Sequence, residues 1–267
     1  MGQNKQKMKR LGGKTMKKEL LFAFAAFFFM SLSAITGVYA LEKEEIAKIV
    51  QEKTIDFAKD ASQKTIQLKG VTTKEEPDFF QELSVEMKDK AGNLNTVPLE
   101  GGYKPNLQAA DINGDQQKEL FITVFTNKKR SQANYYLYAL SDKNMEEIPL
   151  PELPNISSQF KADYKAELSI SGQKTYFFNL YNRKDTYEKL GLYHHGQLNE
   201  PTELIVQPFS PLTVTTYHQK PALKGKQKIS GIASVDTIAY LETIWTKTQK
   251  GWKLEKVTMK EISHYGK

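Results

Sequence analysis

The chain has 267 residues, 39% of them hydrophobic and 26% charged, with no cysteine and a formal net charge of +7. The lack of cysteine excludes disulfides, thiol nucleophiles and thiolate metal sites together. Residues 1–40 carry seven of the 38 basic residues and one of the 31 acidic ones, so the rest is near neutrality at +1 and has no basic surplus to follow a nucleic-acid backbone.

The leader reads as an export signal. "MKKEL" at Met16 is followed by an apolar run that ends in "VYA" at Val38–Ala40. A basic start, an apolar centre and small residues at the end make a secretory signal peptide, with cleavage after Ala40 and Leu41 as the new first residue. Met16 competes with Met1 as the true start. The alternative is an uncleaved anchor, because the 21 residues Leu20–Ala40 carry no charge and are long enough to span a bilayer. Either reading puts the remainder outside the cytoplasm, secreted or at the cell surface, and touching a membrane only through that segment.

From residue 41 to about 70, Ile46, Ile49, Val50, Ile55, Phe57, Ala58 and Ala61 recur at three- and four-residue spacings. That periodicity predicts an amphipathic helix with one buried stripe. After Pro77 the period changes to two. "ELFITVFTN" (119–127), "NYYLYAL" (134–140), "AELSISGQKTYFFNLY" (166–181), "KLGLYHHGQL" (189–198) and a last pair turning at "TQKG" read as strands and hairpins. Residues 71–267 are therefore predicted to be all-β. "IPLPELPNISSQF" (148–160) has three prolines and reads as the connection between two sub-sheets, and "HQKPALKGKQKISG" (218–231) as an exposed loop.

The sharpest motif is "DINGDQQKEL" at 111–120. Asp111, Asn113 and Asp115 alternate, Gln117 offers a backbone carbonyl, and Glu119 closes the set. Calcium takes six to eight oxygen ligands, which a short loop can supply from alternate residues. The spacing is too short for an EF-hand but suits a compact loop between two strands. The competing reading is a polar turn capped by its own Asp side chains.

This loop resembles the FG-GAP/VCBS type of repeat. From about Val97 to the C-terminus the chain is similar to small exported VCBS-repeat proteins of spore-forming Gram-positive bacteria. That resemblance implies a β-propeller-like fold, calcium in the loops and no catalysis; read with the residues of this chain, the expectation is a β-propeller-like or sandwich-like domain with one Ca ion at 111–119. Two features depart from the pattern. Gln116 stands at the sixth position, where glycine is usual because positive φ is needed, and "PLTVTTYHQKPALKGKQKIS" in the second half contains no acidic residue.

Other constellations fail on their surroundings. His194 and His195 are neighbours on a predicted strand, where successive side chains point to opposite faces. "SGQK" (171–174) has the S-x-x-K pattern but sits in a hairpin turn without companion motifs. "GGKT" (12–15) lies in the leader and lacks the upstream glycine of a phosphate loop. Trp245, Trp252 and the thirteen tyrosines are explained by packing more simply than by a carbohydrate platform. The expectation is an exported, non-catalytic binding or structural protein whose partner is a surface protein or polysaccharide. The rival is a hydrolase of wall polymer, for which Asp111, Asp115, Asp185 and Asp236 are the available acids.

Overall fold

The computed structural model describes residues 44–57, 62–88, 92–141 and 143–262. The expected signal segment 1–40 and the choice between Met1 and Met16 lie outside these residues. Among the described residues no helix is long and apolar enough to cross a membrane.

Strands β1 (Glu45–Phe57), β2 (Ser62–Thr73), the two-residue β3 (Phe79–Phe80), β4 (Glu82–Lys88) and β5 (Leu94–Leu99) open the fold. Four of them make an antiparallel sheet in the order β1-β2-β4-β5. Among the described residues the amphipathic helix expected over 41–70 is not formed, and 45–57 and 62–70 belong to β1 and β2 instead; Ala58 and Ala61 of the expected stripe lie outside the described residues. In β2 the buried side chains from Lys64 through Ile66 and Leu68 to Thr72 keep even positions, with Thr73 buried as well at the strand's end, and a spacing of two is the period of a strand. The stripe that suggested a helix is not buried as one: Ile46 is 39% exposed and Ile49 54% exposed. A bulge at Val50, where the pairing shifts between Ile49 and Gln51, changes the parity of the strand and so imitates helical spacing.

β6 (Gly102–Ala110), β7 (Glu119–Phe125), β8 (Ala133–Leu140) and β9 (Met145–Glu147) follow, with β3 on their edge, in the order β3-β6-β7-β8-β9. The two sheets face each other as a half-barrel around one core that includes Ile66, Leu68, Val85, Leu107, Ile122 and Val124. Side-chain amides bridge both seams. At one, Gln51 Nε2 donates to the Leu107 carbonyl and Gln51 Oε1 accepts from the Leu107 N–H, both at 2.9 Å. The carboxamide thus stands in for a strand residue between β1 and β6. At the other, Asn95 Oδ1 accepts from the Met145 N–H at 3.3 Å.

The C-terminal half holds β10 (Ile156–Lys161), β11 (Lys165–Ile170) and β12 (Thr175–Asn179), a 3-10 turn at Tyr181–Arg183, helix α1 (Lys184–Lys189), and the short hairpin β13 (Tyr193–His194) and β14 (Gln197–Leu198). The long strands β15 (Ile205–Tyr217), β16 (Lys220–Ser230), β17 (Thr237–Thr248) and β18 (Gly251–Glu261) then form a sheet in sequence order. The predicted exposed loop 218–231 is in fact mostly β16, an interior strand of that sheet. Its core-facing positions are Leu223, Gly225, Gln227 and Ile229. Only two of the four carry a large apolar side chain, so the alternation is faint in the sequence.

The long sheet divides its inner face between two cores. Ile229, Ala239 and Leu241 pack with Phe160, Leu168 and Tyr187 beneath the three-stranded sheet and α1. Phe209, Leu223 and Trp245 pack with Ile112, Phe121 and Leu137, on the outer side of the β6–β9 sheet. Strand β7 is therefore covered on both faces, which is why "ELFITVF" is nearly continuous in apolar residues. The all-β expectation for 71–267 holds, with one short helix added. The propeller does not: among the described residues the sheets have different strand numbers and pack around three cores, with no repeated blade.

Candidate functional site

The five expected metal positions do lie together, in the loop that joins β6 to β7. Burial of Ile112 in the third core anchors the loop at its start. The side chains are spent on the loop's own backbone. Asp111 Oδ1 accepts from the Gly114 N–H at 2.7 Å and Oδ2 from the Gln116 N–H at 3.0 Å. Asn113 Oδ1 accepts from the Asp115 N–H, and Asp115 Oδ1 from the Gln117 N–H, each at 2.8 Å. These are Asx turns in series. Glu119 is 2% exposed and accepts from the Ile112 N–H at 2.7 Å and from Asn113 Nδ2 at 2.8 Å. Burial pushes its carboxyl above the ordinary value, the Ile112 N–H pulls the other way, and the Asp115 charge adds to the rise.

Does calcium fit there? Asn113 Nδ2 donates to both Asp115 Oδ2 and Glu119 Oε1, so a donor occupies the place between the two carboxylates where a cation would need oxygen. Among the described residues no three His, Cys, Asp or Glu side chains converge on a metal position. As arranged, the side-chain oxygens of Asp111, Asn113 and Asp115 are spent on the loop's own N–H groups, which fits a self-capped turn better than a calcium cage. Gln116 has φ +68° and Gly114 φ +83°. The sixth position does need the left-handed conformation, and a residue with a Cβ adopts it.

The acids of the hydrolase reading are scattered. Asp236 is held by Arg183 Nε at 2.9 Å and by the Tyr187 hydroxyl at 2.5 Å, while Arg183 Nη2 donates to the Thr237 carbonyl at 2.9 Å. Burial, and then the bond to Asp236, drives the Tyr187 hydroxyl far above its usual pKa. Gly231 backs this cluster, where a Cβ would collide with Asp236 Oδ2 and Tyr187 Oη. Asp185 is exposed in the first turn of α1. Nothing in the sequence announced the cluster, because its members are 49 and 53 residues apart.

The remaining candidates resolve as turns or core. His194 and His195 have their rings 4.3 Å apart, because His195 lies in a turn at φ +48° and not on a strand. Both are exposed. Next to them, Glu188 of α1 accepts from the Tyr164 hydroxyl at 2.5 Å and from the Gly196 N–H at 3.2 Å, tying two hairpin turns to the helix. That bond raises the Tyr164 hydroxyl to about 12 and lowers the Glu188 carboxyl. "SGQK" is the β11–β12 turn, with Gly172 at φ +71°. Trp245 is buried, and Trp252 donates from Nε1 to the Pro149 carbonyl.

A shallow groove of about 640 Å3 crosses the outer face of the first sheet. Its acids are Glu82 and Glu86, and Glu86 is already paired with Lys69 at 2.5 Å. Four residues apart on one strand, the two carboxylates are about 13 Å from each other, beyond the separation that glycoside hydrolysis uses.

Residues 154–260 match the family model described as the YybI C-terminal domain. That span covers most of the C-terminal half and begins after the acidic loop. No solved structure matches. The match gives the VCBS/FG-GAP resemblance no support. The chain is also similar to the Bacillus subtilis (strain 168) protein printed as "Uncharacterized protein YybI", at 24% identity over 150 residues, or 54% of this chain and 57% of that one. The chain thus matches less than two thirds of the relative's length, and the likeness is that of a distant homologue.

Proposed function

We propose that the chain works as an exported, non-catalytic binding or structural module at the cell or spore surface, presenting loops and sheet faces from a rigid β scaffold. The observation that carries this reading is the fate of the acids. Asp236 is closed in by Arg183 and Tyr187, Asp111 and Asp115 cap their own loop, and Glu82 and Glu86 stand too far apart along β4. A wall hydrolase needs two carboxyl groups facing one bond across a cleft, and these acids are committed elsewhere.

Export and turnover test the two parts of the reading separately. Secreted material should begin at Leu41 on N-terminal sequencing. Full-length chain confined to the membrane fraction would replace secretion with anchoring. Purified protein should show no hydrolysis of wall glycan, ester or peptide substrates. Reproducible turnover abolished by substituting Asp236 or Asp185 would overturn the non-catalytic assignment.

A further inference from the structure

Strand β16 is the stretch that reads in the sequence as an exposed loop. As an interior strand it sorts its residues by parity. Leu223, Gly225, Gln227 and Ile229 turn to the cores, so Lys224, Lys226 and Lys228 stand in a row on the opposite, solvent-facing side. Pairing across the sheet extends the row into a patch. Lys228 is opposite Tyr240, which is opposite Lys260; Lys224 is opposite Ile244, which is opposite Lys256. Five lysines thus surround Glu242, whose oxygens are taken by Lys224 at 3.0 Å and Lys260 at 2.9 Å; Glu255, next to Lys256 in β18, is held by Thr246 at 2.8 Å and Lys253 at 3.1 Å. Burial pushes the Glu242 carboxyl up, but these two ammonium groups outweigh it and keep the carboxyl charged. Lys228 and Lys256 have no carboxylate partner among the described residues. A mature chain that is almost neutral overall therefore concentrates positive charge on one sheet face.

We infer that this face binds a linear, phosphodiester-linked surface polymer that is not a nucleic acid, which deepens and rests on the proposed binding role. Alternate residues of a strand are about 6.7 Å apart and neighbouring strands about 4.8 Å, so the lysines form a track along β16 with flanking charges from β18. Such a track suits a chain of regularly spaced phosphates, which lysine meets as a point charge. Nucleic acid fits poorly. Single-strand binders stack bases on open aromatic faces, and the Tyr240 ring is covered by Lys226 Nζ at 3.8 Å. A bilayer fits poorly too, because surface-lying membrane binders insert large apolar groups, and the exposed large hydrophobics, among them Phe177, Leu190 and Val235, lie on other elements.

Long-chain inorganic polyphosphate is the probe, with single-stranded DNA and phosphatidylglycerol vesicles as comparators. Binding of the full folded chain to polyphosphate should weaken with salt, with a log–log slope of roughly −2 to −3.5 for three to five lysines. Lys224→Gln, Lys226→Gln and Lys228→Gln together should lower affinity at least tenfold, while Lys128→Gln with Lys129→Gln, in the β7–β8 connection, should leave it unchanged. Since Lys224 also bridges Glu242, the pair Lys228→Gln and Lys256→Gln gives a second test free of that contact, and it should lose at least threefold. No binding at low salt, equal losses from the control pair, or tighter binding of DNA or vesicles would each overturn the assignment. Failure here with secretion intact and turnover absent would remove the polymer and leave the binding role standing.

Discussion

Between β1 and β6 the N-terminal half bridges its seam with the carboxamide of Gln51; between β5 and β9 it uses the carboxamide of Asn95. Around α1 the C-terminal half fastens its pieces differently, with Arg183 and Tyr187 on Asp236 and with Tyr164 on Glu188. A carboxamide brings one acceptor and donors without charge, so it can replace a strand residue at little desolvation cost. A guanidinium–carboxylate–phenol cluster is held by charge, and each member is costly to bury once its partner is gone. The two halves should therefore fail in different ways. One should respond to the loss of shape and hydrogen bonds, the other to the loss or protonation of a charge.

The largest effect should come from the charged cluster. The side chains of Arg183 and Asp236 are only 10% and 20% exposed, so Asp236→Ala strands a guanidinium and a phenol and should cost about 3–5 kcal/mol. Asp236→Asn keeps the shape and one acceptor and should cost less. Denaturant unfolding gives the magnitude, and hydrogen exchange should show the opening confined to α1, β17 and their neighbours. A loss below about 1 kcal/mol, or loosening spread equally into β1 and β6, would break the contrast between the halves.

Gln51→Ala comes next. It removes both partners of Leu107, a buried residue, and leaving a buried backbone donor and acceptor unpaired costs about 1–3 kcal/mol. Amides of β1 and β6 should exchange faster, and to the same extent across the pH range, since no charge is involved. If the loss instead varied with pH, the seam would not be the neutral closure described here.

The third effect is one of pH, and it has opposite signs in the two halves. Among the described residues the lowered carboxyls all belong to the C-terminal half: Glu188 through Tyr164, Glu167 through Lys161, Glu255 through Thr246, and Glu242 where two lysines outweigh burial. Their folded pKa values lie below the reference of 4.5. Their contribution is thus present above that value and lost as pH falls through the folded pKa. Glu119 in the N-terminal half is raised above 4.5 by burial, so its contribution is complete below 4.5 and is lost as pH rises through its folded pKa. Exchange measured over a pH series from neutral to acid should show the loop at 111–119 tightening as the pH falls towards 4.5, and the α1 region loosening only below 4.5. Parallel behaviour in both places would contradict these assignments.

The sequence made some of this visible because the signal was local. "ELFITVF", the "SGQK" turn and the "TQKG" hairpin were legible, and so were the acidic loop's place between two strands and the demand for positive φ at Gln116. What it hid was non-local or of mixed parity. The bulge at Val50 let β1 pass for a helix. Gly225 and Gln227 thinned the apolar side of β16 until it read as a loop. Gly225 is required because a Cβ there would lie 2.5 Å from the Phe209 ring, a contact set by a partner sixteen residues away. Six-residue α1 is too short to show helical periodicity. The Asp236 cluster joins residues on separate elements that no spacing rule connects.

The smallest effect is expected at the loop that looked most like a site. Asp111, Asn113 and Asp115 already satisfy the loop's N–H groups, and Asn113 Nδ2 already sits between Asp115 and Glu119. A self-capped turn of this kind predicts a melting temperature that is the same in millimolar calcium and in chelator. Asp115→Ala then removes one exposed cap and should cost about 0.5–1 kcal/mol, in either condition. Gln116→Gly relieves a left-handed residue with a Cβ and should gain a few tenths of a kcal/mol to about 1. The calcium expectation makes the contrary forecast. For the ion to bind, the Asn113 amide must rotate its oxygen inward, and at a hundredfold excess over Kd the folded state would gain about 2.7 kcal/mol. Asp115→Ala would then abolish that gain, and Gln116→Gly would enlarge it. Melts of the three proteins with calcium and with chelator separate the two cases. A calcium-dependent rise that disappears in Asp115→Ala would show that an ion displaces the amide and closes the loop, and would add an ion to what fastens the N-terminal half.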